Sequence, residues 1–265
     1  MTKIPTTINN GITIHKAKVF VDIVPKGNIK IRTQTTMVPT FITYHNTGNA
    51  GRGANAKSHN TYIHNLGSKL PRDTSHIGWH FTVDENAIYQ HLPLNEIAYH
   101  CGDGIGQRSG NMTSIGIEIC MHVDQKNYRQ AEENAIALGV YLAQLLSIPI
   151  SNHVPHQKWS GKYCPQVILK RDKTFTPFYN RIVAAMYTDN KLYRVRTGTF
   201  EKELQAKIIV DKIKKYNIAS VVNIYQEGKY FRIRTGTYRG RAAALNAVNR
   251  MKELGLVKIA DVEEP

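Results

Sequence analysis

The sequence predicts an α/β fold with a mixed central β-sheet flanked by helices, followed by a small α+β domain of βαββαβ order. Three observations carry this. Up to about residue 178, short β-branched and aromatic runs alternate with helix-period segments, the pattern of a mixed sheet with helices packed on it. Further on, Tyr193-Arg194-Val195-Arg196-Thr197-Gly198-Thr199-Phe200 returns 38 residues later as Phe231-Arg232-Ile233-Arg234-Thr235-Gly236-Thr237-Tyr238, an internal repeat. Between these regions regularity fades from Thr176 to Asn190, and Asp189-Asn190 reads as a domain break. The expected division is 1–178, a linker over 179–190, and 191–265.

Residues 1 to about 40 are polar and broken by proline, with one apolar run at 19–24 that predicts a single short strand. Phe41-Ile42-Thr43-Tyr44 is a buried strand, and His45-Asn46-Thr47-Gly48-Asn49 turns the chain out of it. Ala54 to Leu66 reads as a helix with Gly67 as its cap. The runs 78–83 and 87–91, joined by Asp84-Glu85-Asn86, form a hairpin. A loop spans Cys101 to Asn111. In the strand 114–120, Ile115, Ile117 and Ile119 share one face, and Ser114, Gly116, Glu118 and Cys120 the other. Ala131 to Ser147 is a long helix closed by Pro149. In each copy of the repeat a strand of alternating faces leads through Thr-Gly-Thr into a helix, about 201–216 and 239–254, and then a strand, 219–225 and 257–262.

The chain has 265 residues and a net charge of +15. Residues 191–265 hold 16 Lys and Arg against 8 Asp and Glu. An excess of this size implies a polyanionic partner: nucleic acid, an anionic membrane surface or an acidic wall polymer. No nucleic-acid motif is present, and the aromatics of the repeat do not form a stacking platform on its Arg face, so no nucleic-acid partner is expected. No apolar run of about 18 residues occurs, so no membrane insertion is expected. Met1-Thr2-Lys3-Ile4-Pro5 does not read as a secretory signal. The three cysteines, Cys101, Cys120 and Cys164, are an odd count, which argues against a disulfide framework and leaves a thiol for a metal.

Cys164 follows His156 by eight positions, across a loop containing Trp159, Gly161 and Lys162. Imidazole and thiolate are ligands that zinc prefers, and a catalytic zinc takes three protein ligands with a fourth position open. Among eleven histidines the best third ligand is His45, which ends a core strand and opens a polar loop; His80 and His100 come next. His153 competes with His156 but has no expected strand behind it. Glu118 is a lone acid in an apolar strand, costly there unless paired or functional, and suits a general base. Lys162 can bring positive charge to a developing oxyanion.

The set Tyr44-His45-Asn46-Thr47-Gly48, Gly78-Trp79-His80-Phe81, Ser114-Ile115-Gly116-Ile117-Glu118-Ile119-Cys120 and His156-x-x-Trp159-Ser160-Gly161-Lys162-x-Cys164-Pro165 resembles the type-2 N-acetylmuramoyl-L-alanine amidases. These are phage and Bacillus-type wall lysins related to T7-type lysozyme and peptidoglycan recognition proteins. The resemblance covers about residues 30–170. It implies a Zn2+ site of His45, His156 and Cys164, a catalytic Glu118 with Lys162 beside the Cys ligand, and cleavage of the amide between N-acetylmuramic acid and L-alanine in bacterial peptidoglycan. Some members carry Tyr where this chain has Trp79, so a hydroxyl is absent there; Trp79, His80 and Asn46 are then expected to contact substrate. The C-terminal repeat resembles SPOR-type peptidoglycan-binding domains. Its Arg194, Arg196, Arg232 and Arg234 lie on one strand face and are expected to bind wall glycan or anionic wall polymer. A phage-type endolysin, cytoplasmic until released by lysis, fits these features. The alternatives are a non-catalytic recognition protein on the same scaffold, disfavoured by Cys164, and a basic nucleic-acid-binding protein.

Overall fold

The computed structural model describes residues 4–188 and 191–264. Residues 1–3 and the expected break at Asp189-Asn190 lie outside them. The chain forms two compact units, Met1–Ala185 and Met186–Pro265.

The first unit is built on a seven-stranded sheet. Its strands are β1 (Thr13–Ile14), β2 (Ala17–Val21), β3 (Phe41–Asn46), β4 (Phe81–Val83), β5 (Ala87–Gln90), β6 (Ser114–Ile119) and β7 (His153–Pro155), in the order β1-β2-β5-β4-β6-β3-β7. β4 and β5 form the expected antiparallel hairpin, while β3 runs parallel to both β6 and β7. The sheet is therefore mixed. The helices are α1 (Ala56–Gly67), α2 (Gly110–Thr113), α3 (Gln125–Leu146), α4 (Gln157–Ser160), α5 (Gln166–Asp172) and α6 (Thr176–Thr188).

β3 is buried along nearly its whole length, as parallel strands covered on both faces are. Ile42 and Tyr44 are fully buried, as are Ile115 and Ile117 of β6; burying one such side chain is worth about 1.5–3 kcal/mol. A Cβ on Gly139 of α3 would lie 1.8 Å from the Tyr44 hydroxyl. A mid-helix glycine costs about 1 kcal/mol of propensity, and here it is what lets α3 settle over β3. The other face of β3 and β6 is polar. Thr43 Oγ1 lies 2.8 Å from Ser114 Oγ and accepts the Trp159 indole N–H at 2.9 Å.

Four expectations change. α3 begins at Gln125 rather than 131, because Asp124 caps it by accepting from the Lys126 and Asn127 amides. That polar first turn has no apolar period to read. A short strand not expected, β7, opens at His153 and pairs with β3. An additional strand, β1, pairs with β2 in the lead-in. The expected fade at 176 and the linker over 179–190 are replaced as far as Thr188 by α6. Its Phe178 and Ile182 are fully buried, and its Arg181 reaches Glu132 and Glu133 of α3, both at 2.6 Å. Glu132 is itself fully buried and also takes Arg171 at 2.7 Å. The helix is specified by partners some fifty positions away, which a local reading does not contain.

The second unit carries β8 (Leu192–Thr197), α7 (Glu203–Lys215), β9 (Val222–Glu227), β10 (Tyr230–Thr235), β11 (Tyr238–Arg239), α8 (Arg241–Glu253) and β12 (Ala260–Glu263). This is the expected βαββαβ order with one short extra strand, β11. The repeat has a physical meaning. Thr197 accepts the Ile233 amide and Thr235 accepts the Val195 amide, each at 3.0 Å. Each hydroxyl then donates to the carbonyl of the glycine that follows it, at 2.9 Å. The two copies thus clasp each other reciprocally. Tyr193, Val195 and Ile233 bury into a core with Ala206, Val210, Ala244 and Met251.

The opposite face is not the bare cationic surface expected. Arg196 pairs with Glu227 and Glu263, Arg232 with Glu227, and Arg234 with Glu263. Arg234 also lies over the Tyr225 ring, 4.7 Å from its centroid. Among the described residues, Arg194 is the member of the four with no such carboxylate pairing.

Candidate metal centre and cleft

Parallel strands deliver their residues to a common edge, and that edge holds the centre. The β3–β6 register places His45 directly beside Glu118, on the polar face shared by Thr43 and Ser114. β7 leads into His156, whose amide donates to the Tyr44 carbonyl at 3.1 Å. The α4 turn then returns the chain so that the Gln157 amide donates to the Cys164 carbonyl at 3.0 Å. Parts of the chain more than a hundred positions apart meet here.

The ligand atoms of His45, His156 and Cys164 all lie within 4.8 Å of one another. His45 Nδ1 is 3.0 Å from His156 Nδ1 and 3.9 Å from Cys164 Sγ. All three side chains are buried. Burial holds His45 well below the ordinary imidazole range, with His100, His156 and Lys162 pushing the same way. Burial also pushes the Cys164 thiol up to about 12, with Glu118 adding to it. The two Nδ1 atoms and the thiol sulfur converge on one point, three donors within reach of a single cation. The N, N, S set is one that zinc takes. The residues therefore fit a zinc that would take these three protein ligands.

Glu118 Oε1 is 3.9 Å from His45 Nδ1. Its Oε2 is buried and has no hydrogen-bond partner among the described residues. Burial pushes this carboxyl up to about 8, and Lys162 pulls it partly back. An acid held near neutrality in a cleft is a candidate for proton transfer. Lys162 is exposed and lines the same cleft, a cavity of about 1290 Å³.

The remaining expected contacts divide. Trp79 lines the cleft, with its indole N–H donating to Thr82 Oγ1 at 2.7 Å. Asn46 lies at the cleft wall, but its amide is used by the fold: Nδ2 donates to Tyr128 Oη at 3.0 Å and Oδ1 accepts the Val167 amide at 2.9 Å. His80 is corrected. It is fully buried, with Nε2 on the Glu96 carbonyl at 2.9 Å and Nδ1 accepting the Gly116 amide at 3.0 Å. Both nitrogens are spent inside the core, so it does not reach substrate. His153 bonds Tyr44 Oη at 2.9 Å, away from the metal set. Cys101 and Cys120 are buried free thiols. The outer wall of the cleft, including Tyr62, His76, Tyr99 and Ile105, is not among the residues expected from sequence. They come from loops and a helix face with no motif of their own.

An open mixed sheet with two imidazoles at its strand ends, a thiol on the loop after α4 and a carboxylate with one oxygen unpartnered among the described residues has the donor set and acid of a metallohydrolase centre. A sequence model of the N-acetylmuramoyl-L-alanine amidase family matches residues 35–167, half of the chain, and one of the SPOR domain matches 189–259. The chain belongs to the N-acetylmuramoyl-L-alanine amidase family. It is similar to the N-acetylmuramoyl-L-alanine amidases CwlH and XlyA of Bacillus subtilis, at 43% identity over 154 residues and 46% over 148. These matches cover 58% and 56% of this chain and 58% and 46% of the relatives, so the chain spans about half the length of the curated relatives it matches. The solved catalytic domain of XlyA superposes with a TM-score of 0.55 at 40% identity, covering 64% of this chain and 99% of that domain.

Proposed function

We propose that the chain is a zinc-dependent N-acetylmuramoyl-L-alanine amidase that strips stem peptides from the glycan strands of bacterial peptidoglycan. The observation that carries this is the buried, unpartnered Glu118 oxygen beside the His45, His156 and Cys164 donors. His45, His156 and Cys164 would hold the zinc, which would supply Lewis acidity toward the attacking water and the scissile carbonyl. Glu118 accepts the proton of the attacking water and delivers it to the leaving L-alanine nitrogen. Lys162, at the cleft wall, offsets negative charge gathering on the amide oxygen. Trp79 and the aromatic outer wall hold the muropeptide and keep bulk water from the reacting amide.

The SPOR unit holds the enzyme on the wall and raises its local substrate concentration, as any tether does. Its arginines are largely paired with Glu227 and Glu263, which favours uncharged glycan over acidic wall polymer as its ligand. An endolysin or autolysin role fits this pairing of catalytic and tethering units. Among the described residues, no helix is long and apolar enough to cross a membrane.

The test is zinc analysis of the purified chain together with release of L-alanine amino termini from purified peptidoglycan, before and after chelation. Stoichiometric zinc and chelator-sensitive release are expected. Wall cleavage that exposes reducing sugars in place of amino termini would overturn the bond assignment.

A further inference from the structure

We propose that the adjacent residues His100 and Cys101 form a single positioning bracket for both metal-binding histidines. The His100 imidazole and the Cys101 carbonyl hold His45 and His156 with protons on Nε2, so that both Nδ1 lone pairs face the metal. This rests on the zinc reading above and extends it to residues that do not touch the metal.

The proton positions follow from carbonyl oxygens, which only accept; the hydroxyls nearby, Ser160 Oγ 3.0 Å from His156 Nε2 and Ser114 Oγ 3.5 Å from His100 Nε2, can accept as well, and Ser114 already donates to the Gly110 carbonyl at 2.7 Å. His156 Nε2 lies 2.8 Å from the Cys101 carbonyl oxygen. A carbonyl only accepts, so that nitrogen donates, and Nδ1 is left with its lone pair. The proton on His45 is set through one more ring. His100 Nε2 lies 3.3 Å from the Ser114 carbonyl oxygen and therefore donates. His100 Nδ1 is then an acceptor, and it sits 2.9 Å from His45 Nε2. That nitrogen must donate, which leaves His45 Nδ1 unprotonated. The Cys101 thiol, 3.2 Å from the same His100 nitrogen, is compatible because S–H is also a donor. Fixing a ligand's tautomer and ring orientation from its far nitrogen is how outer partners strengthen metal binding.

The bracket is itself held. Asn111 Oδ1 accepts both the His100 and the Cys101 amides at 2.8 Å, and its Nδ2 donates to the Gly104 carbonyl at 2.9 Å. Asn111 is 2% exposed. Space for the relay ring comes from β6: a Cβ at Gly116 would lie 2.8 to 3.0 Å from the His100 imidazole. His45, His100 and Cys101 also bring ligand atoms within 4.8 Å of one another. The proton on His45 Nε2 leaves that nitrogen no lone pair for a second ion.

The experiment measures zinc affinity of the full chain by competition with a chromophoric chelator, in the wild type, His100→Leu and His100→Asn. Leucine removes the acceptor, and zinc affinity is expected to fall by about 10–100-fold. Asparagine keeps a side-chain oxygen where His100 Nδ1 stood, and affinity is expected to return to near the wild-type value. Melting of the zinc-free forms separates this from a general loss of structure, which asparagine would not restore. Long-range 1H–15N spectra of the zinc-loaded wild type need no variant and are expected to show protons on Nε2 of both His45 and His156. Wild-type affinity in His100→Leu, or zinc on Nε2 of His45, would overturn the bracket. A wild type that binds no zinc would instead overturn the amidase reading on which it rests.

Discussion

Replacing Glu118 with glutamine changes one oxygen for an amide nitrogen and leaves the shape of the side chain intact. Glu118 Oε1 lies 3.9 Å from Nδ1 of the candidate ligand His45, too long for a hydrogen bond, so the position of that ring does not depend on it. The carboxyl is buried and held up to about 8 by that burial, so a neutral amide removes a group that the fold carries at a cost near neutral pH. Glu118→Gln is therefore expected to fold at least as stably as the wild type and to keep its zinc. What it loses is the proposed proton acceptor. Such groups contribute on the order of 10²–10⁴-fold, about 3–5 kcal/mol of barrier. The assay follows new amino termini released from purified peptidoglycan, beside zinc content, a thermal melt and co-sedimentation with walls. A rate within about tenfold of wild type would refute the general-base assignment. Loss of zinc in the variant would show that the carboxylate supports the metal set.

Gly139→Ala should destabilise the first unit by about 1–3 kcal/mol in urea unfolding, although alanine is the better helix former, because its Cβ would fall 1.8 Å from the Tyr44 hydroxyl. A more stable variant would refute the close packing of α3 on β3. Thr197→Val removes the acceptor of the buried Ile233 amide, and should cost the second unit about 1–3 kcal/mol while zinc content stays unchanged; a neutral substitution would count against the interlocked repeat. Acid stability should be set in part by histidines buried as neutral rings. Burial holds His80 and His153 down at about 4, and burial with neighbouring histidines holds His91 at about 3. The unfolded chain takes up these protons near 6.5 and the folded chain does not, so stability is full above pH 6.5 and falls as pH drops toward 4. At its steepest the loss is about 4 kcal/mol per pH unit for three such groups. Melts at pH 7, 5.5 and 4.5 measure it, and a flat profile would refute the neutral burial of these rings.

Several elements of the site can be read locally. Two-residue alternation puts Glu118 on the face opposite Ile115, Ile117 and Ile119, because strand geometry imposes it on any sequence. The turn after Tyr44 announces a strand end at His45, and the eight-position spacing of His156 and Cys164 announces a loop that closes on itself. The 38-residue recurrence fixes a two-copy unit before any contact is known. The exchange of Thr hydroxyls between copies, by contrast, appears only in space.

The sequence alone determined which chemical groups are available and on which face of their own strand they lie. The tertiary structure alone decided which of them meet. The β3–β6 register set His45 beside Glu118, and β7 carried His156 to the candidate donor set while His153 bonded Tyr44. Burial spent both nitrogens of His80 within the core, and Glu227 and Glu263 took as partners three arginines that look free in sequence. α6 exists where the local pattern fades because Glu132, buried on another helix, takes its arginine. The physical reason is common to all of these. Backbone periodicity is a property of neighbouring residues, whereas a register, a desolvated imidazole or an ion pair depends on partners whose separation along the chain leaves no local trace.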